Sequence, residues 1–114
     1  MNYKKTKEFS KEFKKMFRKY KTLEQDLINF QNRFPEVDLS SNKNFVILYS
    51  DNKVKIIKAR FFCRCLRGQT LRIIFAYSSD ESIVEFIEIY FKGGKVREDK
   101  DRIRQYLKNG LTLE

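Results

Sequence analysis

Six side chains suited to act together on a phosphodiester are spread over three stretches: Lys58, Arg60, Arg72, Glu88, Tyr90 and Lys92. Each stretch has the alternation of a β-strand. In VKIIKARFFCRCL (54–66), Val54, Ile56, Lys58, Arg60 and Phe62 share one face. Lys55, Ile57, Ala59, Phe61 and Cys63 share the other. In TLRIIFAYS (70–78), Arg72, Ile74 and Ala76 oppose Leu71, Ile73, Phe75 and Tyr77. In IVEFIEIYFKG (83–93), Phe86, Glu88, Tyr90 and Lys92 oppose Ile87, Ile89 and Phe91. Strands aligned side by side would gather the polar set on one face, because antiparallel neighbours touch. Arginine binds phosphate oxygens bidentately and stabilises charge as phosphorus becomes five-coordinate. Lysine adds a point charge, or a base when nearby cations lower its pKa. Tyrosine stacks on a base or exchanges a proton. RNA carries its own nucleophile, the 2′-hydroxyl, so this chemistry requires neither metal nor histidine. The plain alternative is a solvated face, since charged outer faces are normal in antiparallel sheets.

The composition favours an anionic partner. The 114 residues carry a formal charge of +10, with 25 basic and 15 acidic side chains. The excess lies in residues 1–70, with 17 basic and 7 acidic side chains, whereas residues 71–114 carry 8 of each. Histidine is absent, which excludes His-based nucleases, the catalytic triad and most zinc hydrolases. Cys63 and Cys65 are the two cysteines, expected on one face of a strand as reduced thiols. They make a poor metal site, and a disulfide between them in an extended strand is disfavoured. No metal or other cofactor is therefore expected. No apolar run reaches the length of a bilayer span, and the N-terminus lacks the apolar core of a secretory signal. The expectation is a single domain over 1–114, with no membrane contact, in the cytoplasm.

The elements that must position these residues follow from periodicity. Tyr3–Lys7 reads as a short strand. Ser10 reads as an N-cap, with Phe9, Phe13, Phe17 and Tyr20 at helical spacing. Thr22 and Gln25 have capping-box spacing at the start of a second helix with Leu23, Leu27, Phe30 and Phe34 on its apolar face. Pro35 ends that helix. FVILYS (45–50) is β-prone, and the three alternating stretches form an antiparallel meander with turns at RGQ and SDES. REDKDRIRQYL closes as a short helix with Ile103 and Leu107 as its apolar contacts. The class is α+β, with the helices on one face of an antiparallel sheet.

Three stretches, IIKAR (56–60), LRIIFAY (71–77) and FIEIYFKGGKVREDKDRI (86–103), resemble the RelE/ParE toxins of bacterial toxin–antitoxin systems. The resemblance covers nearly the whole chain. It implies a RelE-like, microbial-ribonuclease-like fold: short first strand, helical hairpin, antiparallel meander, C-terminal short helix. It also implies an mRNA endoribonuclease acting on ribosome-bound mRNA by metal-independent 2′-hydroxyl attack. Lys58, Arg60, Arg72, Tyr90 and Lys92 fall where that family's catalytic groups cluster, with Lys55, Lys95 and Arg97 as further RNA contacts. Relatives place a catalytic Tyr or His after the last strand, whereas Tyr106 sits further on, in the predicted helix. The implied partners are a cognate acidic antitoxin, mRNA and the ribosome. The rival readings are a ParE-like DNA gyrase inhibitor without nuclease activity and an inactive antitoxin- or nucleic-acid-binding module.

Overall fold

A computed structural model describes residues 1–67, 69–95 and 97–110. Strand β1 is Asn2–Lys5. It ends earlier than expected because Thr6 caps helix α1, Lys7–Phe17, its side chain accepting from the Phe9 amide at 3.2 Å. Ser10, expected as the cap, lies inside the helix. Phe9 and Phe13 are buried along one stripe, and the lysines cover the rest. Helix α2 is Leu23–Arg33. The expected capping box does not form: the Thr22 hydroxyl turns to the Asp26 carboxylate at 2.7 Å, and Gln25 donates to Asn29. Nor does the chain leave helical geometry before Pro35. Phe34 keeps φ −56° and ψ −42°, and Phe34–Glu36 continue as a 3-10 turn. Proline near the start of such a turn needs no N–H, so the stop is a tightening rather than a break.

Strands β2 (Phe45–Ser50), β3 (Lys55–Phe62), β4 (Thr70–Ser78) and β5 (Ile83–Phe91) form an antiparallel meander. Gly68 of the expected RGQ turn lies outside the described residues. β1 joins the far side of β5 in parallel, from Asn2 opposite Ile83 to Lys5 opposite Phe86. The sheet is therefore mixed, ordered β1-β5-β4-β3-β2, rather than purely antiparallel. Helices α1 and α2 pack on one face, joining Phe9, Leu23, Leu27, Phe30 and Phe34 to Ile57, Phe61, Leu71, Ile73, Phe75 and Phe86. Phe30 is the hub, its ring 5.7–6.3 Å from those of Phe34, Phe45, Phe61, Phe75 and Phe86.

The third helix departs from the expected layering. Helix α3, Lys100–Asn109, is capped by Asp99, whose side chain accepts from the Arg102 amide. Its Ile103, Tyr106 and Leu107 pack on the opposite face, against Ile56, Ile74, Ala76 and Ile87. Helices therefore cover both sides of the sheet. A bulge in β5 makes this possible. Ile74 pairs with Glu88 and Phe75 with Phe86, so Ile87 is the extra residue. The strict alternation expected for this strand placed Phe86 with Glu88 and Ile87 opposite them. In the structure Phe86 joins the α1–α2 core and Ile87 joins the α3 core. Beyond β1, the free edge of β5 is bound by two side chains. Arg102 donates to the Ile87 carbonyl at 3.1 Å and to both Glu12 carboxylate oxygens at 2.8 Å, while Glu12 accepts from the Ile89 amide. This pair ties α1 to α3 around the sheet edge.

Two residues of α2 separate core from surface. Phe30→Ala should cost about 3–5 kcal/mol in urea unfolding, from lost burial plus the cavity left behind. Ile28, 42% exposed, should cost about 1 kcal/mol or less as alanine. Equal losses at the two positions would contradict this core.

Candidate functional site

The register of the meander puts the polar side chains in cross-strand rows. Arg60 lies opposite Arg72, and Arg72 opposite Tyr90. One pair further along, Lys58 lies opposite Ile74, and Ile74 opposite Glu88. At ordinary strand spacing the Arg60–Arg72–Tyr90 row spans about 10 Å. Like charges directly opposite one another weaken a sheet. Two arginines paired with no carboxylate among the described residues bonded to either are thus a cost that strand pairing alone does not explain.

Two carboxylates divide the expected cations. Glu88 is fully buried, accepts from the Asp99 amide at 2.9 Å and is ion-paired with Lys95. Lys58 donates to Glu98 at 3.0 Å. Burial pushes the Glu98 carboxyl up, but hydrogen bonds from its own backbone N–H and Lys58, with the charges of Lys58 and Lys100, outweigh it. The result lies below the usual carboxylate range. Lys58 and Lys95 are therefore partly neutralised. Among the described residues Arg60, Arg72, Lys92 and Arg97 have no ion-pair partner. Arg60, Lys92 and Arg97 are exposed. Arg72 is half-buried and oriented by neutral acceptors, the Thr70 hydroxyl and the Leu71 carbonyl.

A hollow of about 310 Å³ lies at this end of the sheet, lined by Gln69, Thr70, Arg72, Phe91, Lys92 and Gly93. A Cβ on Gly93 would meet the Phe91 ring, which would have to move to admit it. Arg72 and Lys92 face this hollow together, an arrangement that fits an anion. Lys55 does not join them. It shares the parity of Ile57 and Ala59 and lies on the α1–α2 side.

Tyr90 is 7% exposed, and the Lys95 ammonium stands 5.5 Å from its ring centre. That leaves no open ring face for base stacking while the loop after β5 is in place. Burial and the charges of Glu98 and Glu88, opposed by Arg72, push its pKa up to about 12. At neutral pH its hydroxyl is a proton donor, not a base. Tyr106 is committed elsewhere: it donates to the buried Glu85 at 2.8 Å. Sequence reasoning passed over Glu98 and Asp99. The Asp99 N-cap is legible as an acidic residue just before a helix. The Lys58–Glu98 pair, 40 residues apart, leaves no local trace.

The lowered Glu98 pKa predicts a pH dependence. A carboxyl lowered on folding stabilises the protein above its ordinary pKa, and that contribution is lost as pH falls through the lowered folded value. Lys58→Ala removes the partner. The variant should therefore lose less stability than the parent between neutral and acid pH in urea unfolding. An identical acid loss in the two proteins would contradict the pairing.

No family model matches the chain, and no solved structure matches it. Among curated proteins it is similar to a span of the male gametocyte surface protein P230p of Plasmodium falciparum (isolate 3D7), 29% identical over 103 residues. That match covers 85% of this chain, and the chain spans 4% of that protein's length.

Proposed function

We propose that the chain is a RelE-like toxin that binds RNA across the Arg60–Arg72–Tyr90 row and cleaves it without a metal. The observation that carries this reading is the uncompensated arginine pair beside the Arg72–Lys92 hollow. Arg60 and Lys92 would hold the phosphate. Arg72 would stabilise the charge that grows on the phosphoryl oxygens. The 2′-hydroxyl would attack phosphorus and lose its proton to solvent water. The P–O5′ bond would break to leave a 2′,3′-cyclic phosphate, and the neutral Tyr90 hydroxyl would give its proton to the departing 5′-oxygen and regain one from water. Lys58 and Lys95, engaged with Glu98 and Glu88, would position the site from behind. The element order, a strand, two helices, a meander and a last helix, agrees with a RelE-like fold. In this reading the protein acts in the cytoplasm on ribosome-bound mRNA, and an acidic antitoxin covers the cationic face. No described helix is long and apolar enough to cross a membrane. The likeness to a span of a gametocyte surface protein points to no ribonuclease, so the reading rests on geometry.

A second reading has its own support. Glu98 is held ionised and weakly basic, and Tyr90 is a donor, so the described site offers no evident base for the 2′-hydroxyl. A module that binds RNA or a partner without cutting, or a ParE-like gyrase inhibitor, needs none.

Incubation with ribosomes carrying mRNA, followed by primer extension, separates these readings. Cleavage should appear, survive chelator and fall roughly ten- to a thousandfold in Arg72→Ala, the range for one lost transition-state stabiliser. RNA binding without new ends would favour the binding module. Intact mRNA here, with DNA breakage in a parallel incubation with gyrase and plasmid, would favour the gyrase reading.

A further inference from the structure

The turn after β3 holds a second reactive cluster, outside the arginine row. β3 ends at Phe62, earlier than the strand expected to run through Cys63 and Cys65. The Leu66 amide then donates to the Cys63 carbonyl at 2.9 Å and closes a turn. In an extended strand, residues two apart stand about 6.7 Å apart, near the limit a disulfide spans. In a helical turn the same separation is about 5.4 Å, close to the commonest value for a disulfide.

Both sulfurs meet one hydroxyl. Thr22 Oγ1 lies 3.3 Å from Cys65 Sγ and 3.7 Å from Cys63 Sγ, its single proton shared between Cys65 and the Asp26 carboxylate. The turn is held in place by Asp26, which accepts from the Arg64 amide at 3.1 Å and from its guanidinium at 2.9 Å. The two thiols differ in surroundings: Cys65 is exposed and Cys63 is buried. Cys65 sits at the start of α2, where hydrogen bonds from the Thr22 hydroxyl and the Thr22 and Lys21 amides hold its thiol below the ordinary range. Burial pushes the Cys63 thiol up. An exposed thiol that ionises readily beside a protected second thiol is the arrangement of a peroxide-reactive pair.

We propose that Cys65 is oxidised by hydroperoxides and that Cys63 resolves the product as an intrachain Cys63–Cys65 disulfide. The Cys65 thiolate attacks the hydroperoxide. An S–O bond forms, the O–O bond breaks, and the departing alkoxide or hydroxide takes up a proton. Cys63 sulfur then attacks the Cys65 sulfenic acid. The S–S bond forms, the S–O bond breaks, and hydroxide leaves with the Cys63 proton as water. The dithiol is oxidised by two electrons and the hydroperoxide is reduced to an alcohol (or water) and water.

Arg64 between the two cysteines makes the product easy to read. The folded protein is treated with stoichiometric hydrogen peroxide, free thiols are then blocked, and the chain is digested with trypsin. Fragment 61–67 should emerge uncut at Arg64 and lighter by two hydrogens, because the small disulfide ring shields that bond, and should yield 61–64 and 65–67 after reduction and renewed digestion. Cys63→Ser should halt at a Cys65 sulfenic acid trapped by dimedone, and Cys65→Ser should give neither product. The parent digest needs no substitution, so a variant that fails to fold leaves the test intact. Unlinked fragments from the oxidised parent would overturn the proposal. So would dimedone on Cys63, or a disulfide joining two chains.

Discussion

Two successive residues of β5, Ile87 and Glu88, face the same way, and the layering of the molecule depends on it. The bulge gives α3 an apolar seat at Ile87 and sends Glu88 into the same buried layer. A carboxylate with no exposure is tolerated only when its lone pairs are occupied. The Asp99 amide and the Lys95 ammonium occupy them. Those two partners come from either side of the loop after β5, so one buried acid fastens that loop and the start of α3. The Glu12–Arg102 pair closes the free edge of the same strand.

This fastening decides which cations remain for a ligand. A face read as one cluster of Lys58, Arg60, Arg72 and Lys92, with Lys95 and Arg97 just beyond it, resolves into two layers. Lys58 and Lys95 are turned toward Glu98 and Glu88. Arg60, Arg72 and Lys92 are not, and they lie at the end of the sheet with the hollow. The charge of a whole surface promotes encounter with an anion. A small set of unpaired guanidiniums is what fixes one phosphate in place.

Much of this was legible from residue spacing. The apolar stripes of α1 and α2, the parity of β3 and β4, and the contacts of Ile103 and Leu107 all follow from local periodicity. The assumption that the polar faces of the strands coincide also holds, and the register pairs Arg60 with Arg72 and Arg72 with Tyr90. Three features were not legible. An extra apolar residue beside another apolar residue leaves no signature in a strand, so strict alternation puts Phe86 and Ile87 on the wrong faces. The side on which α3 packs depends on that same bulge. The carboxylates that claim Lys58 and Lys95 act across a loop, and binary patterning is blind to ion pairs between distant positions. The cysteines show the same limit, because their convergence requires β3 to end at Phe62.

The most direct test of the central claim is NMR titration with a short RNA carrying a 2′-deoxy substitution that prevents cleavage. Shifts should concentrate at Arg60, Arg72, Tyr90 and Lys92, with the guanidinium signals of the two arginines moving together and the effect weakening as salt is raised. Shifts confined to the lysine-covered surface of α1 and to Lys55, with the arginine row unmoved, would contradict the account.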